Sequence, residues 1–134
     1  MSHRTKNTVI DTNVIVSAFI SRDGISARIY EMVLDGHIIL YYCDAIMDEY
    51  VKVLNRPKFD IGPAEVEALT QALIKLGRII TPVASSIPLP DEKDRVFYDT
   101  AKQCNAVLVT GNAKHYPQEP RIMTPRAFYE TYGA

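Results

Sequence analysis

Cysteine is scarce in this chain of 134 residues, which contains only Cys43 and Cys104. The two are far apart in sequence, and no CxxC pair is present. A disulfide framework or a thiolate zinc site needs more cysteines than this, or cysteines at closer spacing. We therefore expect both side chains to be buried, reduced thiols.

Long apolar runs are also absent, although 47% of the residues are hydrophobic. A helix that spans a bilayer needs about 20 mostly apolar residues. The apolar stretch at residues 9–20 is interrupted by Asp11 and Asn13, and the polar residues 1–7 do not resemble a signal peptide. The chain contains neither an internal repeat nor a linker-like segment. These features predict a single cytoplasmic domain over residues 1–134, with no membrane partner.

The chain also lacks an excess of positive or negative charge. Its net charge is −1 and its isoelectric point is about 6.3. A protein that binds nucleic acid duplexes without specificity is usually basic. An enzyme that recognises a short or folded RNA needs only a local basic rim. The candidates for such a rim are Arg4, Lys6, Arg22, Arg28, Lys52, Arg56, Lys58 and Lys114.

Short β-rich runs alternate with helical patterns along the chain. The runs that predict strands are residues 8–10, 38–41, 79–83, 106–109 and 121–123. Apolar periodicity and terminal residues predict helices over residues 26–34, 44–54, 63–76, 93–104 and 125–132. Residues 14–19 continue the apolar pattern after the first strand, with Thr12 as a candidate helix cap. Pro82 favours a place at the sheet edge for the third strand.

This alternation implies βαβ units and therefore an α/β fold. Crossovers between parallel strands are right-handed, so helices should cover both faces of the sheet. We expect a three-layer α/β/α, Rossmann-like domain around a central, mainly parallel sheet of four or five strands.

Three acids that are distant in sequence are expected to meet at one edge of this sheet. Asp11 follows the first strand, Glu49 lies in helix 44–54, and Asp94 opens helix 93–104. The segment Thr110-Gly111-Asn112 follows the fourth strand. Ligands of open parallel sheets bind at the carboxyl ends of the strands. Carboxylates that repel one another there are stabilised by a divalent cation, so the pattern predicts a hard-metal site of the kind that acts on phosphate esters.

Each of these residues also has a purely structural explanation when it is taken alone. Asp11 can cap a helix, Glu49 can lie on a solvated helix face, and Asp94 can favour a helix start. Coincidence of all of them at one sheet edge is improbable, which favours the metal site. Oxygen ligands suit Mg²⁺ or Mn²⁺, and the lack of clustered Cys and His argues against zinc.

Four segments, in this order, resemble the PIN-domain ribonucleases. They are Val9-Ile10-Asp11-Thr12-Asn13-Val14, Asp48-Glu49-Tyr50, Asp91-Glu92-Lys93-Asp94-Arg95-Val96-Phe97 and Leu108-Val109-Thr110-Gly111-Asn112. The resemblance covers essentially the whole chain. Within this superfamily, the ending at residues 110–117 is similar to a branch of toxin-like PIN proteins that are relatives of the VapC toxins.

The resemblance implies a Mg²⁺- or Mn²⁺-dependent endoribonuclease, in a toxin-like branch, with RNA as substrate. Its metal ligands, carried over by position, would be Asp11, Glu49 and Asp94. Asn112 stands where many PIN domains have a fourth acid, and it either donates an uncharged oxygen or orients a water. Asp99 is a further metal candidate, but it lies five residues after Asp94, about 140° around the helix. A supporting role or solvent exposure is expected for it instead.

The remaining expectations concern supporting residues and partners. Thr12, Asn13 and Thr110 would orient ligands or water. His115 either contacts RNA or forms a hydrogen bond within its loop. A toxin would have a cognate antitoxin that blocks the acidic pocket, and the resemblance also implies a homodimer. Residues that would serve an interface or the core equally well are Phe19, Tyr30 and Tyr50.

Two other function classes stay open. In the first, Asp11 is the covalent nucleophile of a haloacid-dehalogenase-like phosphatase. Such enzymes normally carry a second Asp two residues later, where this chain has Asn13. In the second, the chain is a catalytically weak module that binds RNA or a partner, which the neutral Asn112 favours.

Overall fold

A computed structural model describes residues 5–133, so that Arg4, one of the candidates for the basic rim, lies outside the described residues. The strands are β1 (Lys6–Ile10), β2 (Ile38–Tyr42), β3 (Arg78–Ile79), β4 (Val107–Val109) and β5 (Ile122–Met123). The helices are α1 (Thr12–Ile20), α2 (Ile25–Leu34), α3 (Asp44–Leu54), α4 (Pro63–Leu76), α5 (Arg95–Gln103) and α6 (Pro125–Tyr132).

The five strands form one sheet in the order β3-β2-β1-β4-β5, and every neighbouring pair is parallel. The six helices complete a three-layer α/β/α domain, which confirms the predicted fold class. The strand order reverses direction between β1 and β4, where Ile10 is in register with Val109. Asp11 and Thr110 therefore follow two adjacent strands at the point where ligands bind in open parallel sheets.

The core is apolar on both sides of the sheet and includes residues from every helix. Val9, Ile10, Leu108 and Val109 are nearly inaccessible to solvent, as expected for central parallel strands. Tyr50 of α3 is fully buried and donates a hydrogen bond to the carbonyl oxygen of Ile10. Tyr50 is thus a core residue, which decides between the two alternatives of interface and core.

The third strand is shorter than its sequence pattern suggested. Only Arg78 and Ile79 pair with β2, although the N–H of Ile80 still donates to the carbonyl of Tyr42 at 2.9 Å. The pattern of residues 79–83 favours either a strand or an extended edge segment; only Ile79 of these residues pairs in β3, and the predicted position at the sheet edge is confirmed. Pro82 has no N–H to donate, so a strand cannot be extended through it by the usual ladder of hydrogen bonds.

Other corrections concern a helix start and an exposed leucine. Asp11, and not Thr12, caps α1, because its carboxylate accepts the N–H of Thr12 at 2.8 Å. Asp94 ends a short 3-10 turn that precedes α5. The apolar spacing of helix 63–76 predicts that Leu76 lies on its inner face, but this side chain is 46% exposed, since it lies in the last turn of α4.

The cysteines form no disulfide. Cys43 is buried, as expected, while Cys104 at the end of α5 is only half-buried, so the expectation of full burial is wrong for Cys104. Among residues 5–133, no helix has both the length and the apolar character that crossing a membrane requires.

Candidate active site

Asp11 is held at the carboxyl end of β1 by three hydrogen bonds. Its Oδ1 accepts the N–H of Thr12, and its Oδ2 accepts the hydroxyls of Thr110 at 2.7 Å and Tyr116 at 3.0 Å. The side chain is buried, with a relative exposure of 6% for the residue. These contacts fix the carboxylate between the ends of β1 and β4, because Thr110 directly follows β4.

Glu49 and Asp94 reach the same region from two helices. Glu49 lies on α3, and its Oε2 accepts the hydroxyl of Thr12 at 2.7 Å. Asp94 lies at the start of α5, where its Oδ2 is 3.2 Å from Nδ1 of His115. The Asp94 side chain is only 16% exposed, whereas that of His115 is 46% exposed. The structure thus links each acid to a neighbour of Asp11 or to the loop that follows β4.

The acids influence one another electrostatically. Burial raises the pKa of Asp11, and the charge of Glu49 raises it further, against the lowering effect of its three hydrogen bonds. Burial also raises the pKa of Asp94, with a further contribution from the charge of Asp11, while His115 lowers it. Charges that are distant in sequence are therefore close enough here to oppose each other's ionisation.

An open cleft of about 650 Å³ lies beside these acids. Its polar lining residues are Thr12, Asn13, Glu49, Lys52, Arg56, Asp91, Lys93, Asp94, Asn112 and His115. Lys52, Arg56 and Lys93 are cations, so basic as well as acidic side chains line the cleft. Val16, Val53 and Phe59 complete the lining. The chemistry of this lining suits a ligand that carries both a divalent cation and phosphate groups.

The expected supporting residues all form polar contacts around the cleft. Asn13 accepts the N–H of Gly111 through its Oδ1 at 3.1 Å, which ties α1 to the loop after β4. Thr110 donates to Asp11 and accepts the N–H of Asn112 at 2.9 Å. Asn112 itself is exposed and lines the cleft.

Asp99 does not join this group of residues. It lies one and a half turns further along α5 and is 4% exposed, so the expectation of solvent exposure is wrong. Its Oδ2 accepts the N–H of Ser85 at 3.0 Å, and it borders a separate, smaller cavity with Lys102 and Gln103. The rotation of the helix between positions 94 and 99 explains why the two acids face different surroundings.

Sequence reasoning missed two polar residues of the site and left a third undecided. Tyr116 is buried and donates to Asp11, although nothing in its local sequence distinguishes it from a core aromatic. Asp91 lines the cleft and caps the 3-10 turn, and its place at the start of the segment 91–97 was the available signal. His115, whose role was open, faces Asp94.

Fewer of the basic candidates line the cleft than the sequence suggested. Lys52 and Arg56 line the cleft, together with Lys93, which was not among the candidates. Arg22 instead pairs with Glu65 at 2.8 Å, and Lys6 lies over the ring of Tyr132. The remaining described candidates, Arg28, Lys58 and Lys114, are exposed but do not line this cleft.

The donor set fits a hard divalent cation. Among residues 5–133, no three or more His, Cys, Asp or Glu side chains form a group that could hold a metal ion. Burial is nevertheless the main cause of the raised pKa values of Asp11 and Asp94, and a neighbouring carboxylate raises each of them further, which is the repulsion that a cation relieves. Carboxylate and amide oxygens are the ligands preferred by Mg²⁺ and Mn²⁺.

Comparison with known proteins agrees with this geometry. A sequence model of the PIN domain matches residues 7–114, which contain all of the acids described above. An uncharacterized protein of Methanocaldococcus jannaschii is 29% identical over 107 residues, which cover 78% of this chain and 69% of that protein. The chain therefore belongs to the PIN-domain family, whose members are in general nucleases.

Proposed function

We propose that this chain is a Mg²⁺- or Mn²⁺-dependent endoribonuclease that hydrolyses RNA phosphodiester bonds. The observation that carries the proposal is that Glu49 and Asp94 line one cleft, while Asp11, at the reversal of strand order, acts electrostatically with both of them. Three carboxylates from separate segments are unfavourable there unless a cation accompanies them.

Asp11, Glu49 and Asp94 would hold the metal, with Asn112 as an uncharged oxygen donor beside them. A bound divalent cation supplies positive charge to the phosphoryl oxygens and lowers the pKa of water. The protein supplies the orientation of the ligands. Thr110 and Tyr116 fix Asp11, Thr12 holds Glu49, and His115 faces Asp94.

The direct test is cleavage of a mixed RNA pool by the purified protein with Mg²⁺, with Mn²⁺ and with EDTA. A monoester phosphatase substrate in parallel separates the nuclease from a phosphatase. Metal-dependent cutting of RNA, with no monoester hydrolysis, supports the proposal. No cutting of any RNA under any of these conditions contradicts it.

Asn112→Asp is expected to tighten the binding of Mn²⁺ by about tenfold or more, because it adds a negative charge to the ligand set. Isothermal titration calorimetry of the two proteins measures the change. A matched control is Asn55→Asp, since Asn55 caps the far end of α3 and does not line the cleft. An unchanged affinity in Asn112→Asp would place this side chain outside the metal's ligands.

The cations of the cleft supply the proposed contact with RNA. We expect Arg56→Gln to reduce the slope of log Kd against log salt by about 0.7 for a single-stranded RNA, the value for one lost phosphate contact. The measurement is fluorescence anisotropy in EDTA, which prevents cleavage. Arg22→Gln is the control, because Arg22 pairs with Glu65 away from the cleft. Equal slopes in wild type and in both variants would contradict a role for Arg56 in binding RNA.

We further propose that the nuclease is the toxin of a toxin–antitoxin pair, in the cytoplasm, with a cognate antitoxin that covers the acidic cleft. The similarity of residues 110–117 to toxin-like PIN proteins supports this proposal. A homodimer remains part of it, with Phe19 and Tyr30 as interface candidates, since both are only half-buried. Growth arrest on expression, relieved by the Asp11→Asn substitution, would support the toxin role.

A second candidate function is a catalytically weak module that binds RNA or a partner. The observation in its favour is the amide at position 112, which leaves the site with one charge fewer than a fourth acid would supply. Binding of RNA in EDTA without cleavage in either metal would favour this candidate.

A further inference from the structure

Tyr116 occupies an unusual place in the candidate site. Its ring is buried, with 6% of the residue exposed, and its hydroxyl lies 3.0 Å from Oδ2 of Asp11. Burial and the charges of Asp11 and Asp94 raise the pKa of Tyr116 strongly. The phenol therefore connects the carboxylate that follows β1 with the loop that follows β4.

A phenol carries a single proton, so it can donate to only one of the two acids at a time. In this structure Asp11 receives it, and Asp94 faces His115 instead. Asp11 then has three donors, namely the N–H of Thr12 and the hydroxyls of Thr110 and Tyr116. Donors to a buried carboxylate replace part of the stabilisation that water or a cation would otherwise supply.

We propose that Tyr116 is a positioning residue whose hydroxyl ties Asp11 to the loop after β4 in the absence of metal, and that a divalent cation has to displace this hydrogen bond when it binds. The tie keeps the Asp11 carboxylate in place before metal arrives. It also sets the metal affinity, because the cation competes for an oxygen that is already occupied. This inference rests on the proposed metal centre, but its first test does not require metal.

The first test is a double-mutant cycle in EDTA, with wild type, Tyr116→Phe, Asp11→Asn and the double variant. Urea unfolding of each measures stability. We expect Tyr116→Phe to lower the midpoint by roughly 0.5–1 M in the wild-type background, since a hydrogen bond to a charged group is lost. In the Asp11→Asn background the loss should be less than half as large. Equal losses in both backgrounds would overturn the tie.

The second test measures Mn²⁺ binding by calorimetry. If the cation displaces the hydroxyl, Tyr116→Phe should bind Mn²⁺ about tenfold more tightly than wild type, because only the metal-free wild type has a hydrogen bond to lose. An unchanged or weaker affinity would overturn the competition between the hydroxyl and the metal. The readout is independent of RNA cleavage.

Tyr98→Phe is the matched control for a merely structural effect. Tyr98 is also buried and its hydroxyl also donates to an acid, but that acid is Glu119, which does not line the cleft. We expect Tyr98→Phe to lose stability without changing the affinity for Mn²⁺. If it tightened Mn²⁺ binding as much as Tyr116→Phe does, the effect would belong to destabilisation in general, and the assignment to Tyr116 would be overturned.

Two further outcomes are decided by the same set of proteins. If Tyr116→Phe does not fold in EDTA, recovery of folding in the double variant supports the tie, and failure to recover overturns it. If wild type binds no divalent cation, the proposed metal centre fails and the competition fails with it, whereas the cycle in EDTA still decides whether Tyr116 holds Asp11.

Discussion

The Asp11→Asn variant is expected to lose metal-dependent RNA cleavage by about three orders of magnitude or more. Asp11 accepts the hydroxyls of Thr110 and Tyr116 from the loop after β4, and Thr12 links it to Glu49. Loss of this charge removes the central oxygen ligand of the proposed metal centre, and a metal's share of transition-state stabilisation is several kcal/mol. Initial rates with Mn²⁺ and a labelled RNA measure the loss.

The same variant should remain folded in EDTA, with a stability equal to or above that of wild type. The pKa of Asp11 is raised in the folded protein, so that ionisation of this carboxylate opposes folding, and its cost is fully present at pH values above the folded pKa. Asparagine removes that cost and can still cap α1. Full activity in a correctly folded Asp11→Asn protein would contradict the assignment of the site. Inactivity with loss of the fold would say nothing about chemistry, so circular dichroism must accompany the assay.

The Gly77→Ala variant is expected to lose about 2–3 kcal/mol of stability, since the added methyl group has no space. A Cβ at this position would lie 2.8 Å from the carbonyl oxygen of Leu73, 2.9 Å from Cε1 of Tyr42 and 3.0 Å from the carbonyl oxygen of Leu40. Two of these atoms belong to the backbone of α4 and β2, which cannot move without disturbing the sheet. Thermal unfolding should show a decrease in Tm of roughly 5–10 °C.

Gly62→Ala is the matched control at the other end of the same helix. Among residues 5–133, no heavy atom outside Gly62 and its two chain neighbours lies within 4 Å of the position that its Cβ would take, and its φ of −66° is accessible to alanine. We expect its stability to stay within about 0.5 kcal/mol of wild type. Similar losses in the two variants would show that glycine flexibility at the helix ends, and not the close approach of α4 to β2, is responsible.

The sequence by itself determined the order of the strands and of the later helices, and the bounds of three helices. The predicted bounds of α3, α4 and α6 coincide with those in the structure. Each of these helices has apolar periodicity between clear terminal residues, such as Pro63 at the start of α4. The parallel sheet followed from the alternation of strands and helices, because parallel neighbours need crossover connections.

The approach of Asp11, Glu49 and Asp94 could also be anticipated from the sequence. Asp11 follows a central strand, and the rule for open parallel sheets places ligands at that end. The contribution of each acid to a metal centre remains a prediction. The sequence could predict that these acids lie at the same edge of the sheet, because that location depends on the strand order more than on details of packing.

The tertiary structure alone decided which side chains contact these acids. Tyr116 is 105 residues after Asp11, and its hydrogen bond depends on how the loop after β4 folds back over β1. The burial of Asp99 depends on the extended segment around Ser85, which has no periodic pattern. Local propensity and periodicity predict which helix or strand a residue belongs to. Long-range polar contacts depend instead on how several helices, strands and loops pack together. For this reason the sequence determined the fold and the location of the candidate site, and the tertiary structure determined the hydrogen bonds that position its carboxylates.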